Sequence, residues 1–249
     1  MTPLWLLHGF LGAPASWTRV VESLEARAGV RAPWLFGHGQ PPRDVPEGFW
    51  QAVDALAAEL SEPAFVAGYS LGGRLALGIA CRHPRRVRGV IAIGAHLGLD
   101  SDLERGERIA WETALATKLE RAGLPSFVDA WEKLPLFASQ AALPAAQRST
   151  QRAVRLSHDA AALARVLTAL GTGRMPALEP ERAGVPVLLV TGEHDEKLSA
   201  VARARPRLRH RIVPDAGHNP LLEAPHALGR LIDEQLRDWS ATRTQENHA

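Results

Sequence analysis

Residues 64–80 read AFVAGYSLGGRLALGIA. The run is apolar and strand-like up to Tyr69 and turns helical from Leu71, with Ser70 on the bend between Gly68 and Gly72. In a G-x-S-x-G strand–turn–helix, the two segments meet so tightly that side chains two residues either side of the serine have no room. The bend strains the serine backbone and exposes its hydroxyl above the edge of a sheet. A hydroxyl is a weak nucleophile and a weak base until a neighbour takes its proton. The elbow therefore demands an α/β architecture and a histidine and an acid on the same sheet edge.

The rest of the chain fits that demand. Its 249 residues, 46% of them hydrophobic, suffice for one large domain with a full core. Short apolar runs at 3–8, 32–36, 64–68, 90–94, 185–192 and 211–214 are each bounded by Gly, Pro or charge. Continuous apolar runs suit strands buried on both faces, so a mostly parallel sheet of about six strands is expected, with helices on both sides. Helical patterns fall at 16–28, 49–60, 71–82 and 226–240. The interval 96–180 has no strand pattern and several helical ones, among them 102–123, 125–134 and 158–171. It is expected to form a helical cap inserted into a core of residues 1–95 and 181–249, above the strand ends where open α/β sheets bind ligands. The polar tail, 242–249, is expected to fray.

Composition excludes several classes of function. The 29 basic residues nearly balance 27 acidic ones, and the arginines are scattered, so no nucleic-acid stripe is expected. No run approaches the roughly 20 apolar residues of a membrane span, and MTPLWLLHGF lacks the basic region and cleavage site of a signal peptide. The single cysteine, Cys81, excludes an internal disulfide and reads as a small core residue in a reducing compartment. These features predict a cytoplasmic protein with neither nucleic-acid nor membrane partners. They leave its oligomeric state open.

The acid and base that Ser70 requires are present. Asp195 follows the apolar run 185–192, and His218 follows the run 211–214, so both fall after strand ends, on the edge that carries Ser70. The order Ser70, Asp195, His218 is that of a nucleophile-elbow triad, with His218 taking the proton and Asp195 orienting the imidazole. His210 precedes its strand, Asp215 lies too close to His218 in the chain, and His194 is expected to point away; Glu193 is the substitute acid. An oxyanion needs two amides, expected from Leu71 after the serine and Phe10 in the loop LLHGFLG. Gly9 and Gly12 would let that loop approach Ser70.

These motifs resemble the α/β-hydrolase superfamily over nearly the whole chain. Two departures stand out. The chain opens directly on the HG-bearing strand, so the superfamily's first two strands are expected to be missing. WLFGHGQ (34–40) carries Trp34 and Phe36 where relatives often carry Asp and Pro. Within the superfamily, HGFLG (8–12), GYSLGGRLAL (68–77), GER (106–108), FVDAWEKLPLFAS (127–139), GTGRMPAL (171–178) and GEHDEKL (192–198) together resemble the 2-succinyl-6-hydroxy-2,4-cyclohexadiene-1-carboxylate synthases of menaquinone biosynthesis. That resemblance implies a lyase that abstracts a proton and eliminates pyruvate from a small anionic metabolite bearing three carboxylates, with no metal and no cofactor. The alternative is a serine esterase or C–C bond hydrolase working through an acyl-enzyme on the same triad.

The resemblance also assigns binding residues. Arg74, one helical turn after Ser70, would bind carboxylate, as would Arg108 in the cap. Trp131 and Phe137 match cap aromatics that contact substrate, and Tyr69 could hydrogen-bond it. The plainer alternatives are a surface ion pair for either arginine and simple packing for the aromatics. Lys197 is expected to have a structural partner. Arg152 and Arg155 are cap cations without an assigned place.

Overall fold

Six strands form in the computed structural model, which describes residues 2–25 and 29–246, five of them on the apolar runs. They are β1 (Leu4–Leu7), β2 (Val30–Arg31), β3 (Ala64–Tyr69), β4 (Val87–Ile93), β5 (Val187–Gly192) and β6 (Arg209–Val213). Every pairing is parallel, in the order β2-β1-β3-β4-β5-β6. β3 and β5 are buried at every position, as a sheet covered on both faces requires.

The covering helices divide between the two faces. One face packs against α2 (Phe49–Glu59) and α3 (Leu71–Arg82), through Phe49, Val53, Leu56, Leu75 and Ile79. The other packs against α1 (Thr18–Val21) and the final helix, Pro225–Glu246, through Val20, Leu228, Ile232 and Trp239. Cys81 is partly buried against the first of these cores. Among the described residues no helix is long and apolar enough to cross a membrane.

Three expectations need correction. The run 32–36 is not a strand: β2 is only Val30–Arg31. The Leu35 amide is captured by the ring of His8 (3.0 Å), and Leu35 and Phe36 are apolar because they enter the core from a turn. The helix expected over 16–28 is a short 3-10 turn, Pro14–Trp17, followed by α1; residues 26–28 of that expectation lie outside the described residues. The tail does not fray at 242, since the last helix continues to Glu246, while 247–249 lie outside the described residues.

Between β4 and β5 the chain is helical: α4 (Asp102–Trp131), a 3-10 segment Pro135–Ala142, α5 (Ala145–Leu156) and α6 (Ala160–Leu170). The backbone of α4 breaks at Gly123, whose φ of 76° is left-handed, two residues before Pro125. Leu119, Phe127 and Val128 of α4 and Leu163 and Leu167 of α6 make a separate small core. Leu11, from the loop after β1, belongs to it, so the helical layer is seated directly on the loop that adjoins Ser70.

Candidate active site

Ser70 has φ 51° and ψ −106°, the strained backbone that the elbow predicts. The glycines explain why that backbone is possible. A Cβ on Gly68 would lie 2.3 Å from the Gly72 carbonyl oxygen, and one on Gly72 would lie 2.3 Å from that of Leu7. The bend is locked at Ser70 itself, whose amide donates to the Ile93 carbonyl (2.8 Å) and whose carbonyl accepts from the Arg74 amide (2.9 Å).

His218 and Asp195 form a buried pair. His218 Nδ1 donates to Asp195 Oδ2 at 2.7 Å. The other carboxylate oxygen accepts the Leu198 amide (3.2 Å) and caps the helix α7 (Glu196–Arg203). Asp195 is thereby held at both oxygens, and it fixes the imidazole with its Nε2 lone pair free. The rival residues are occupied elsewhere. Glu193 accepts the Asp215 amide, His210 pairs with Thr191, and His194 is exposed.

One cavity gathers every predicted group except Asp195, which stands behind His218. It is lined by Phe10, Tyr69, Ser70, Leu71, Arg74, Arg108, Trp131, Phe137 and His218. Phe10, Trp131 and Phe137 form a connected aromatic wall, with ring centres 5.3 Å and 5.7 Å apart. Phe137 reaches His218 at 6.0 Å, and Tyr69 lies 5.5 Å from it. Burial pushes the Tyr69 hydroxyl well above the usual phenol range, so it stays protonated. A second cavity on the far side of this wall shares Phe10, Tyr69, Trp131 and Phe137.

The oxyanion candidates have the required freedom. Leu71 begins α3, so its amide has no partner in a preceding turn, and among the described residues the Phe10 amide meets no acceptor. Two buried imidazoles hold the Phe10 loop. The Leu11 amide donates to His38 Nε2 (3.1 Å), while His38 Nδ1 donates to the Phe36 carbonyl (2.7 Å). His8 Nε2 accepts the Leu35 amide, and its Nδ1 donates to the Gly9 carbonyl (2.8 Å). Both rings must therefore be neutral. Burial lowers His8 to about 4 and His38 well below the usual range. Gly9 is required here because a Cβ would meet the Tyr69 ring at 2.7 Å.

The same cavity has a cationic lining. Arg74 is 9% exposed; its Nη1 donates to the Leu170 carbonyl (2.7 Å), and burial lowers its pKa to about 10, so it remains charged at neutral pH. Arg108 Nε donates to Glu112 Oε1 at 2.7 Å, and its guanidinium lies 4.5 Å above the Trp111 ring. Lys197 lines the same cavity and, contrary to expectation, has no acidic partner among the described residues. Arg152 and Arg155 are spent within the cap: Arg152 pairs with Asp129 and Glu132, and Arg155 with Glu132 and Gln140. Two further lining residues escaped the sequence reading. His96 is lowered to about 4 by burial and is neutral; Glu112 is the only carboxylate on the lining. The one sequence trace of Glu112 is its i,i+4 spacing from Arg108.

The alpha/beta hydrolase family model matches residues 6–231. A protein of Bacillus subtilis (strain 168) is 38% identical over 245 residues, covering 92% of this chain and 88% of its own. The 2-succinyl-6-hydroxy-2,4-cyclohexadiene-1-carboxylate synthase of Enterobacter sp. (strain 638) is 33% identical over 241 residues, 94% of this chain and 92% of that one. The solved structure of MenH from S. aureus superposes with a TM-score of 0.90 at 29% identity, covering 96% and 94% of the two chains.

Proposed function

The chain belongs to the alpha/beta hydrolase family, and from that premise we propose that it is a lyase of menaquinone biosynthesis. It eliminates pyruvate from 2-succinyl-5-enolpyruvyl-6-hydroxy-3-cyclohexene-1-carboxylate, leaving 2-succinyl-6-hydroxy-2,4-cyclohexadiene-1-carboxylate. The observation that carries this reading is the charge of the cavity that Ser70 faces. Three cations and one carboxylate line it, a balance suited to a substrate with several carboxylates and poorly suited to a neutral ester.

In this reading the triad is a base. His218 Nε2 takes the Ser70 proton as Ser70 Oγ removes the proton α to the succinyl ketone. The electron pair of that C–H bond moves onto the ketone oxygen, which the Phe10 and Leu71 amides stabilise; one such donor is typically worth about 3–4 kcal/mol. The enolate then collapses through the ring. The ring carbon–oxygen bond to the enolpyruvyl group breaks, and its electron pair departs with pyruvate enolate. His218 returns its proton to Ser70, and the proton taken from carbon passes to the leaving enolate, giving pyruvate. No water is consumed. Arg74 and Arg108 hold substrate carboxylates throughout.

The test is stoichiometric pyruvate release from the enolpyruvyl substrate, run beside a p-nitrophenyl ester. Pyruvate formed by the wild type and abolished in Ser70→Ala, with little ester cleavage, supports the lyase. Ester cleavage without pyruvate would replace it with a hydrolase whose Ser70 forms an acyl-enzyme.

A further inference from the structure

Glu112 is the least expected residue in the cavity. A carboxylate beside the cations that must receive an anionic substrate would repel it, and Glu112 is only 3% exposed. Both of its oxygens are engaged. Oε1 accepts from Arg108 Nε and from the Thr172 amide, both at 2.7 Å, and Oε2 accepts from the Gly173 amide at 3.1 Å. The fit leaves no slack, since a Cβ on Gly171 would lie 2.1 Å from Oε2.

This pairing is poorly suited to mere helix stabilisation. An i,i+4 ion pair is worth a few tenths of a kcal/mol, and the order with the acid C-terminal to the base is the weaker one. What it does is select one face of a guanidinium. By taking Nε it leaves both Arg108 Nη groups, which meet no acceptor among the described residues. Those two nitrogens form the edge that binds a carboxylate bidentately. Trp111 supports the plane of the group from one side. The same carboxylate holds the turn 171–173, which directly follows Leu170, the carbonyl that fixes Arg74 Nη1.

We propose that Glu112 is a positioning residue: its buried carboxylate aims the Arg108 guanidinium at a substrate carboxylate and, through the turn 171–173, keeps Arg74 facing the same cavity. The charge balance follows. Three cations and one spent carboxylate leave two net positive charges, enough for two carboxylates of one ligand. The proposal deepens the lyase reading and rests on its anionic substrate.

The experiment is a double-mutant cycle on the full chain, with Glu112→Gln, Arg108→Ala and the pair together. The readouts are kcat and KM for pyruvate release and the Kd of 4-oxo-4-phenylbutanoate, a succinyl ketone that cannot eliminate. Glu112→Gln is expected to raise KM and that Kd about tenfold or more, with kcat changed much less. In the Arg108→Ala background the same change is expected to cost clearly less, leaving only the part carried through the turn 171–173 to Arg74. Should Glu112→Gln fail to yield folded protein, Glu112→Asp enters the cycle, with the same selective rise in KM expected at smaller size. Unchanged probe binding, or an equal cost with and without Arg108, would overturn the proposal. A wild type that releases no pyruvate but shows the coupled loss of probe binding would overturn the lyase and leave Glu112 its positioning role.

Discussion

The two walls of the cavity are built by different means. On one side, Ser70 and His218 follow the ends of β3 and β6, with Asp195 behind them after β5; backbone holds Ser70 and Asp195, and Asp195 holds His218. The Ser70 bend is pinned to Ile93, and Asp195 is pinned to Leu198. On the other side, Arg74, Arg108 and Glu112 stand on helices and are held through side chains, by one another and by the turn after α6. Backbone geometry is shared by any sequence of the fold, so the first wall supplies general chemistry. Side-chain pairing changes with single residues, so the second wall supplies the choice of substrate.

Two substitutions would break that division if it is wrong. Ser70→Ala removes the reacting hydroxyl and is expected to lower kcat by about 10³-fold or more on every substrate the protein turns over, carboxylated or neutral. Arg74→Met keeps most of the side-chain volume and loses the charge. Charged hydrogen bonds are worth about 1.5–3 kcal/mol, so kcat/KM for the three-carboxylate substrate should fall by roughly 10- to 150-fold, with a neutral ester unaffected. Equal losses on both substrates would mean that Arg74 supports the elbow and not the substrate.

The same difference decided what the sequence made legible. The elbow could be read because its serine and glycines fall within five residues, although Gly68 is dictated by Gly72 four residues away and Gly72 by the backbone of Leu7 and His8 on the neighbouring strand. The triad could be read because strand ends align its members in a fixed chain order. Arg108 was assigned only by resemblance, and Glu112 was missed. Along α4, Glu104, Glu107, Glu112 and Glu120 look alike, yet only Glu112 is buried, because the turn 171–173 docks on it from 60 residues away. The run 32–36 misled for a related reason. Its apolar residues serve the core, while the Leu35 amide goes to His8 and not to a strand.

The loop that adjoins Ser70 carries a pH dependence of its own. His8 must be neutral to accept the Leu35 amide, and burial holds its pKa near 4, against about 6.5 when unfolded. The unfolded chain therefore binds this proton first as pH falls. The His8 contribution is complete above pH 6.5, shrinks between 6.5 and 4, and is constant below 4. At pH 5 it amounts to about 2 kcal/mol of lost stability. Denaturant melts of wild type and His8→Gln at pH 7.5 and pH 5 isolate it. The variant should lose less stability between the two pH values than the wild type does. Identical losses would mean that the ring is not held neutral.

The smallest effect expected is at Lys197. Its side chain is exposed, at the cavity rim, and without an acidic partner among the described residues. A solvated ammonium acts on a carboxylate mainly through a screened field, worth up to about 1 kcal/mol. Lys197→Met should therefore raise KM by about two- to fivefold, and the difference should vanish as ionic strength approaches about 1 M, where the screening length falls to about 3 Å. Arg108 offers the contrast: held by Glu112 and Trp111, it loses less to added salt. If the Lys197 effect survives high salt, the ammonium makes a direct contact, and the fixed part of the cationic wall extends from the cap onto α7.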